Sequence, residues 1–249
     1  MRLAGNLQRK KDQIHILCSF PEHIFLSNSK VPIPDGLSAN EETIFLDSLF
    51  YNSDYVQYID DTIFLRKFKT YTKKYFEDMG FSYHEVDDLN NFLTSDGMLY
   101  LVKFKQLELE ERWFPYHQEE QFDSTIYEED IWINGISLNA WMDVSKVNDT
   151  VEVQRALYEE SILSDRVTGM FFQNQWSGEV QYQYQLDTLQ LNEVGELQTQ
   201  SAIDLGTYLV NYIINKEIRD RLNYLEGVKP RSWWFFSSKS GRFLPEPIR

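Results

Sequence analysis

The densest group of side chains that could hold a metal ion comprises His84, Glu85, Asp87 and Asp88. Carboxylates in such a group could bind Mg²⁺, and a bound metal ion could activate water for hydrolysis. The same composition is typical of the solvated start of a helix, where acidic side chains interact favourably with the helix dipole. The sequence favours this second interpretation, so a metal-dependent hydrolase built on His84 is the weakest of three functional hypotheses.

The single cysteine, Cys18, excludes both a disulfide within the chain and a cysteine-based zinc site. A catalytic thiolate would need a nearby base, and His15 lies three residues earlier. The surrounding apolar run, IHILCSF, instead indicates a small buried side chain. The four histidines form neither an HExxH motif nor a pair at helical spacing, which argues against a classical zinc site.

Motifs for other catalytic chemistry are missing from the sequence. The 11 glycines are scattered singly, without the GxxxxGK[ST] or GxGxxG patterns that cradle phosphates. The GxSxG motif of α/β-hydrolases is also missing. A restriction-type nuclease core fails on spacing, because Leu101 stands where the acid before Lys103 would be required. We therefore expect a protein without enzymatic activity and without a cofactor.

Charge is distributed unevenly along this acidic chain, whose formal net charge is −15. Residues 1–11 and 229–249 each carry +4, so residues 12–228 carry −23. An acidic body repels nucleic acid over most of its surface, and we expect no specific nucleic-acid recognition. The basic ends could reach an acidic face of a neighbouring copy, could contact phosphate, or could simply be solvated termini. No stretch approaches the roughly 18 apolar residues of a membrane helix, so we also expect no membrane span.

Apolar residues spaced at three and four predict two successive helices, over residues 39–58 and 60–79. A capping box at Ser38 and Glu41 supports the start of the first helix. The second carries a basic stripe that could bind a phosphate chain but is more typical of a solvated helix face. This stripe consists of Arg66, Lys67, Lys69, Lys73 and Lys74. Further helices are expected over 86–93, over 149–165, and from Ser201 to about Glu226.

Alternating residues predict a strand over 98–114, with a bulge near Gln106, where the apolar face switches. We expect Pro115 to end that strand and residues 117–130 to form an acidic loop. Asn134 and Gly135, between two apolar runs, predict the turn of a short hairpin.

The stretch over residues 178–200 predicts a polar ribbon, a strand pair whose turn is formed by residues 192–195. It leads directly into the last helix. One face of the ribbon is nearly all glutamine with a few acids. We expect this face to line a lumen if the protein forms a ring, through Gln181, Gln183, Gln185, Asp187 and Gln190.

The C-terminal tail, residues 231–249, combines aromatic and basic residues. Such a segment could stack on bases, lie at a membrane interface, or dock into a groove of another subunit. It could also fold back as a last edge strand over the chain's own core. The acidic body favours docking on a subunit, and the interaction residues that we expect are Trp233, Trp234, Phe235, Phe236, Arg231 and Arg242.

Together these patterns predict an α+β fold in which amphipathic helices pack on antiparallel hairpins, with a long C-terminal helix and an aromatic-basic tail. We expect one domain over residues 1–230, divisible into a helical half, 38–93, and a mixed half, 97–227. The tail over 231–249 follows this domain.

Two functional hypotheses from different classes fit this character. The first is a non-enzymatic structural subunit of a homo-oligomeric ring, most concretely a viral (phage) head–tail connector, collar or tail component with an acidic lumen for DNA passage. Its partners would be other assembly proteins and its location the virion. The second is a monomeric, cytoplasmic immunity or inhibitor protein that covers a basic enzyme, because charge steers such an encounter and aromatic residues anchor it.

Overall fold

A computed structural model describes residues 13–147, 155–225, 233–237 and 242–246, and gives the α+β class that the sequence predicts. The helices in these residues are α1 (Ala39–Tyr51), α2 (Asp61–Asp78), α3 (Leu89–Thr94), α4 (Leu191–Val194) and α5 (Leu197–Leu225). The strands are β1 (Ile14–Ser19), β2 (Phe25–Asn28), β3 (Ser82–His84), β4 (Met98–Phe122), β5 (Thr125–Lys146), β6 (Arg155–Ser164), β7 (Arg166–Gln173), β8 (Val180–Asp187), β9 (Trp233–Ser237) and β10 (Arg242–Glu246).

Six strands form one mixed sheet in the order β3-β1-β4-β5-β6, with β2 also beside β4. β1 and β2 pair in parallel with successive parts of β4, and β3 pairs in parallel with β1. β4, β5 and β6 are antiparallel to one another. β4 therefore pairs with three other strands of the sheet, β1, β2 and β5.

The hairpin of β4 and β5 is much longer than the sequence predicts. The expected bulge is confirmed, because the register shifts between Phe104 and Gln106. Pro115, however, does not end β4, and residues 117–130 are not a loop. Both strands stay paired up to Phe122 and Thr125. Proline is tolerated here because this part of the hairpin has only two strands, and each strand is an edge.

The prediction of a hairpin turn at Asn134 and Gly135 is also wrong, because both residues lie inside β5. A Cβ atom on Gly135 would lie 2.6 Å from the carbonyl oxygen of Leu163 and 2.9 Å from the ring of Phe114. The glycine is therefore needed for a close approach between neighbouring elements and not for a hairpin turn.

α2 and α5 pack against each other and bury one face of the sheet. α2 begins as predicted, with the Asp60 carboxylate accepting a hydrogen bond of 2.9 Å from the backbone N–H of Ile63. The two helices approach closely at Gly206, where a Cβ atom would lie 2.3 Å from the Tyr75 ring. The fully buried apolar side chains beneath the helices come from both layers. They include Ile14, Ile16, Phe64, Phe68, Phe76, Tyr100, Leu107, Leu109, Ile136 and Met142.

Several other predicted boundaries are wrong. α1 keeps its predicted capping box but ends at Tyr51, not at Tyr58. α5 begins at Leu197, so Ser201 lies inside the helix rather than at its cap. Residues 155–164 form β6 instead of a helix, because β5 offers them an edge with which they form a full antiparallel ladder. The remainder of that predicted helix, 149–154, lies outside the described residues.

A two-stranded arm projects beyond the six-stranded sheet. We define the arm as residues 113–122 of β4 and 125–134 of β5, whose ladder partners among the described residues lie only in each other. Ten residues of extended strand span roughly 33 Å. An isolated two-stranded hairpin is marginally stable in water, and its two edges expose unpaired backbone groups. The arm therefore needs support from other parts of the molecule or from a partner.

Candidate functional site

The polar ribbon is a hairpin of β7 and β8, not of two strands within residues 178–200. The turn expected at 192–195 is helical, because α4 occupies residues 191–194. Gln190 is therefore not part of the ribbon but the N-cap of α4. The other predicted lumen residues lie on one exposed face of β8, and the partner strand adds apolar groups to that face. Phe172 pairs with Gln181, Met170 with Gln183, Thr168 with Gln185 and Arg166 with Asp187.

The opposite face of this hairpin supports the arm. The Tyr182 hydroxyl donates a hydrogen bond of 2.6 Å to Oε1 of Gln118, and the Gln118 amide donates to the carbonyl of Gly169 at 3.3 Å. Tyr182 also contacts Phe171, with ring centroids 4.8 Å apart. A Cβ atom on Gly169 would lie 2.0 Å from the Tyr182 hydroxyl oxygen. Only glycine at position 169 lets the tyrosine cross its partner strand to reach the arm.

The predicted tail residues occupy a small antiparallel hairpin of β9 and β10. Trp233 to Phe236 lie in β9, and Arg242 begins β10, where it is paired with Ser237. β9 lies close to α5. Arg231 lies outside the described residues. The tail thus contains a strand, which was one of the alternatives that the sequence left open. This strand, β9, pairs with β10, the next described segment of the chain.

At the base of the arm, two exposed tryptophans lie beside a groove. Trp113 is 44% exposed and Trp132 is 66% exposed, and they lie on the same face of the arm. A groove of about 590 Å³ runs beside them; we call it the tryptophan groove. It is lined by Ser29, Lys30, Glu110, Arg112, Trp113 and Trp132.

Charged groups accompany these tryptophans. The ammonium of Lys30 lies 5.1 Å from the centre of the Trp113 ring, a cation–π arrangement. The guanidinium of Arg112 pairs with Glu160 at 2.5 Å. Its Nε atom is buried and has no hydrogen-bond partner among the described residues. Aromatic and arginine side chains of this kind are enriched at the centres of protein–protein interfaces.

A buried carboxylate fixes the base of the arm. Glu111 is fully buried, and it accepts hydrogen bonds from the backbone N–H groups of Asp54, Tyr55 and Val56 at 2.8, 2.8 and 3.2 Å. The Lys30 ammonium lies 2.5 Å from the same carboxylate. These contacts tie the segment after α1 to β4 where the arm begins. The sequence did not single out Glu111, because nothing distinguishes it from the other glutamates of β4 until the strands are paired.

His84 does not assemble a metal site with its acidic neighbours. Nδ1 of His84 lies 2.7 Å from Asp88, and Nε2 of His84 lies 3.0 Å from Nδ1 of His15. Both nitrogens of His84 are therefore used in a hydrogen-bonded chain, and no three metal-binding side chains among the described residues are placed so that they could hold a metal ion together. This chain joins β1 to the start of α3.

Cys18 is buried, as the sequence predicts, and burial is the main reason that the pKa of its thiol is raised. His15 contacts His84 rather than Cys18. Residues three apart on a strand lie on opposite faces, so β1 separates the two side chains. His15 therefore cannot act as a base for the thiol, and the buried position of Cys18 fits a packing residue.

The hydrogen-bonded chain of His15 and His84 predicts that the folded protein loses stability in acid. Burial, and secondarily the charge of His84, lower the pKa of His15 below its ordinary value of 6.5. A histidine whose pKa is lowered on folding makes its full contribution to stability at pH values above its pKa in the unfolded chain. That stability is lost as the pH falls through the folded pKa. We expect the unfolding midpoint temperature to drop between pH 7.5 and pH 5, and His15→Gln to reduce this drop. His23→Gln, at an exposed position, is the control, and an equal reduction by both variants would contradict the assignment.

Comparison with models of known protein families found no match, and no curated protein proved significantly similar in sequence. No helix among the described residues is both long enough and apolar enough to cross a membrane.

Proposed function

We propose that the protein is a non-enzymatic structural subunit of a homo-oligomeric assembly. The observation that supports this most is the arm, a two-stranded extension with two open edges and two exposed tryptophans at its base. In a monomer such an element would expose backbone groups and aromatic surface without benefit. In an assembly the same features provide contact area, because open edges and exposed tryptophans are both covered by neighbouring subunits.

The most specific form of this proposal is a component of the head–tail connector, collar or tail of a bacterial virus. The strongly acidic composition supports it, since an acidic wall lets DNA pass without binding. The glutamine face of β8 is a candidate lining for such a channel. The exposed apolar side chains of Met170 and Phe172 lie on the same face and suit a contact with another subunit better than contact with DNA. This face of the hairpin would therefore line the lumen through β8 and contact a neighbouring subunit through β7.

The test is the mass of the purified protein in solution, measured by size-exclusion chromatography with light scattering, together with negative-stain images. We expect ring-shaped or larger assemblies. The double variant Trp113→Ala/Trp132→Ala should weaken assembly at least about tenfold, because buried tryptophans dominate interface energies. Tyr51→Ala, at a 70% exposed position on α1, is the matched control and should assemble like the parent. A protein that stays monomeric at high concentration would contradict the proposal.

A further inference from the structure

The tip of the arm carries a dense set of acidic residues. Glu119 and Glu128 are directly opposite each other across the two strands, and like charges in that position destabilise a hairpin. A hydrogen bond with Asp130 is the main cause of a raised pKa at His117, and the negative charges of Asp130, Glu128 and Glu119 raise it further. The acidic groups of the tip are Glu119, Glu120, Asp123, Glu128, Glu129 and Asp130.

These carboxylates lack basic partners at the tip. Apart from the contact of His117 with Asp130 at 2.9 Å, the described residues place no basic side chain within 4.0 Å of them. The described residues of a single copy therefore leave the repulsion between the facing Glu119 and Glu128 uncompensated. A cationic surface on another molecule would relieve it.

The basic stripe of α2 is such a surface, and it borders a groove of about 670 Å³. The stripe runs from Arg66 to Lys74 without an acidic residue. Within it, Arg66, Lys67 and Lys74 have no carboxylate within 4.0 Å among the described residues, whereas Lys73 is 3.7 Å from Glu85. Four cations and three carboxylates line the groove: Arg66, Lys69, Lys73 and Lys74, with Glu22, Glu77 and Glu85.

The tip cannot reach the stripe of its own copy. The Lys69 ammonium lies 5.5 Å from the centre of the Phe20 ring, and Phe20 stacks on Phe104 at 4.4 Å. The stripe is thus level with Phe104 on β4. From Phe104 to Phe122 at the tip, β4 continues as extended strand, which spans roughly 60 Å at about 3.3 Å per residue. Any contact between the two surfaces must therefore join different molecules.

We infer that the acidic tip of one copy docks on the basic stripe of α2 in a second copy. This inference rests on the proposed assembly and assigns one of its contacts. The two surfaces are different, so the contact is head-to-tail, and its repetition closes into a ring or continues as a filament. The occupant of the stripe is a second copy rather than nucleic acid, because the acidic body repels phosphates while the tip offers opposite charge on the same chain.

Charge reversal tests the contact directly. We expect Glu119→Lys/Glu128→Lys and Arg66→Glu/Lys74→Glu each to weaken self-association at least about 100-fold, because like charges would then face each other across the interface. The variant Asp35→Lys/Asp47→Lys changes the net charge as the tip variant does, at exposed positions outside both surfaces, and should associate like the parent. Circular dichroism of each variant confirms that the fold is kept.

The decisive measurement is an equimolar mixture of the two reversed variants. The lysines introduced at one tip then meet the glutamates introduced on the other variant's helix, and the unchanged tip meets the unchanged helix, so both contacts are complementary again. Sedimentation velocity at low salt should show assemblies in the mixture but not in either variant alone. Because the attraction is between exposed charges, these assemblies should dissociate as salt is raised.

The outcomes separate this contact from the assembly itself. If the parent assembles and the reversed variants assemble equally well, the docking of tip on stripe is wrong while the proposed assembly stands. If the variants fail to assemble and their mixture also fails, the specific pairing is wrong. A parent protein that is monomeric under all conditions would overturn both proposals.

Discussion

Replacing Glu111 with alanine should lower the free energy of unfolding by about 3–5 kcal/mol. Three backbone N–H groups and the Lys30 ammonium point at this carboxylate inside the protein. Removal of the carboxylate leaves those donors without their acceptor, and buried donors that lack an acceptor keep the full penalty of leaving water. Chemical denaturation followed by circular dichroism measures the loss.

Glu108→Ala is the matched control for that experiment. Glu108 lies on the same strand and accepts one hydrogen bond of 2.8 Å from Ser27, but it is only partly buried. Loss of a single partly exposed hydrogen bond should cost about 0.5–1.5 kcal/mol. Equal losses in the two variants would show that Glu111 has no special role at the base of the arm.

Phe68→Ala should also cost about 3–5 kcal/mol, for a different reason. Phe68 is fully buried between α2 and the sheet, where its ring makes edge-to-face contacts with Phe20 at 6.0 Å and Phe104 at 6.2 Å. Truncation removes apolar contacts and leaves a cavity that the surrounding rings cannot fill. The same denaturation measurement applies.

The exposed side of the same helix supplies the comparison. Tyr71 is 37% exposed, and Tyr71→Ala should change the free energy of unfolding by roughly 0.5 kcal/mol. If the two substitutions on α2 had similar effects, the helix would not pack on the sheet through its Phe68 face.

The elements that the sequence predicts well are those whose signals are local. The Asp60 cap, the apolar spacing and the breaking residue Gly80 all lie within α2 or directly beside it, so they can be recognised together without knowledge of the fold. The capping box at Ser38 and Glu41 is local in the same way. The bulge at Lys105 was also predictable, because the apolar parity of β4 changes within a few residues.

The elements that could not be predicted depend on partners far away in sequence. The residues of β6 favour a helix by themselves, and only the free edge of β5 makes them a strand. The acidic composition of the arm is typical of a loop, so the sequence does not predict its strands. The arm is supported by Tyr182, which lies more than fifty residues later in the sequence. Glu111 and the tryptophan groove likewise arise only when the segment after α1 meets β4. The tail and ribbon residues were found from composition, but their pairing partners were not.

Because of the bulge at Lys105, we expect the hairpin of β4 and β5 to tolerate insertions and deletions at some positions but not at others. Lys105 has no partner on β5, and this extra residue sets which side chains beyond it face the helices. Deletion of one residue there would turn the Glu111 carboxylate away from the backbone N–H groups of Asp54, Tyr55 and Val56 and would turn Arg112 toward that segment instead. At the turn between Phe122 and Thr125, by contrast, loss of a matched pair of residues from each strand shortens the arm and leaves every other side chain on its face. Natural variation in length can therefore accumulate at the end of the arm but not at its root.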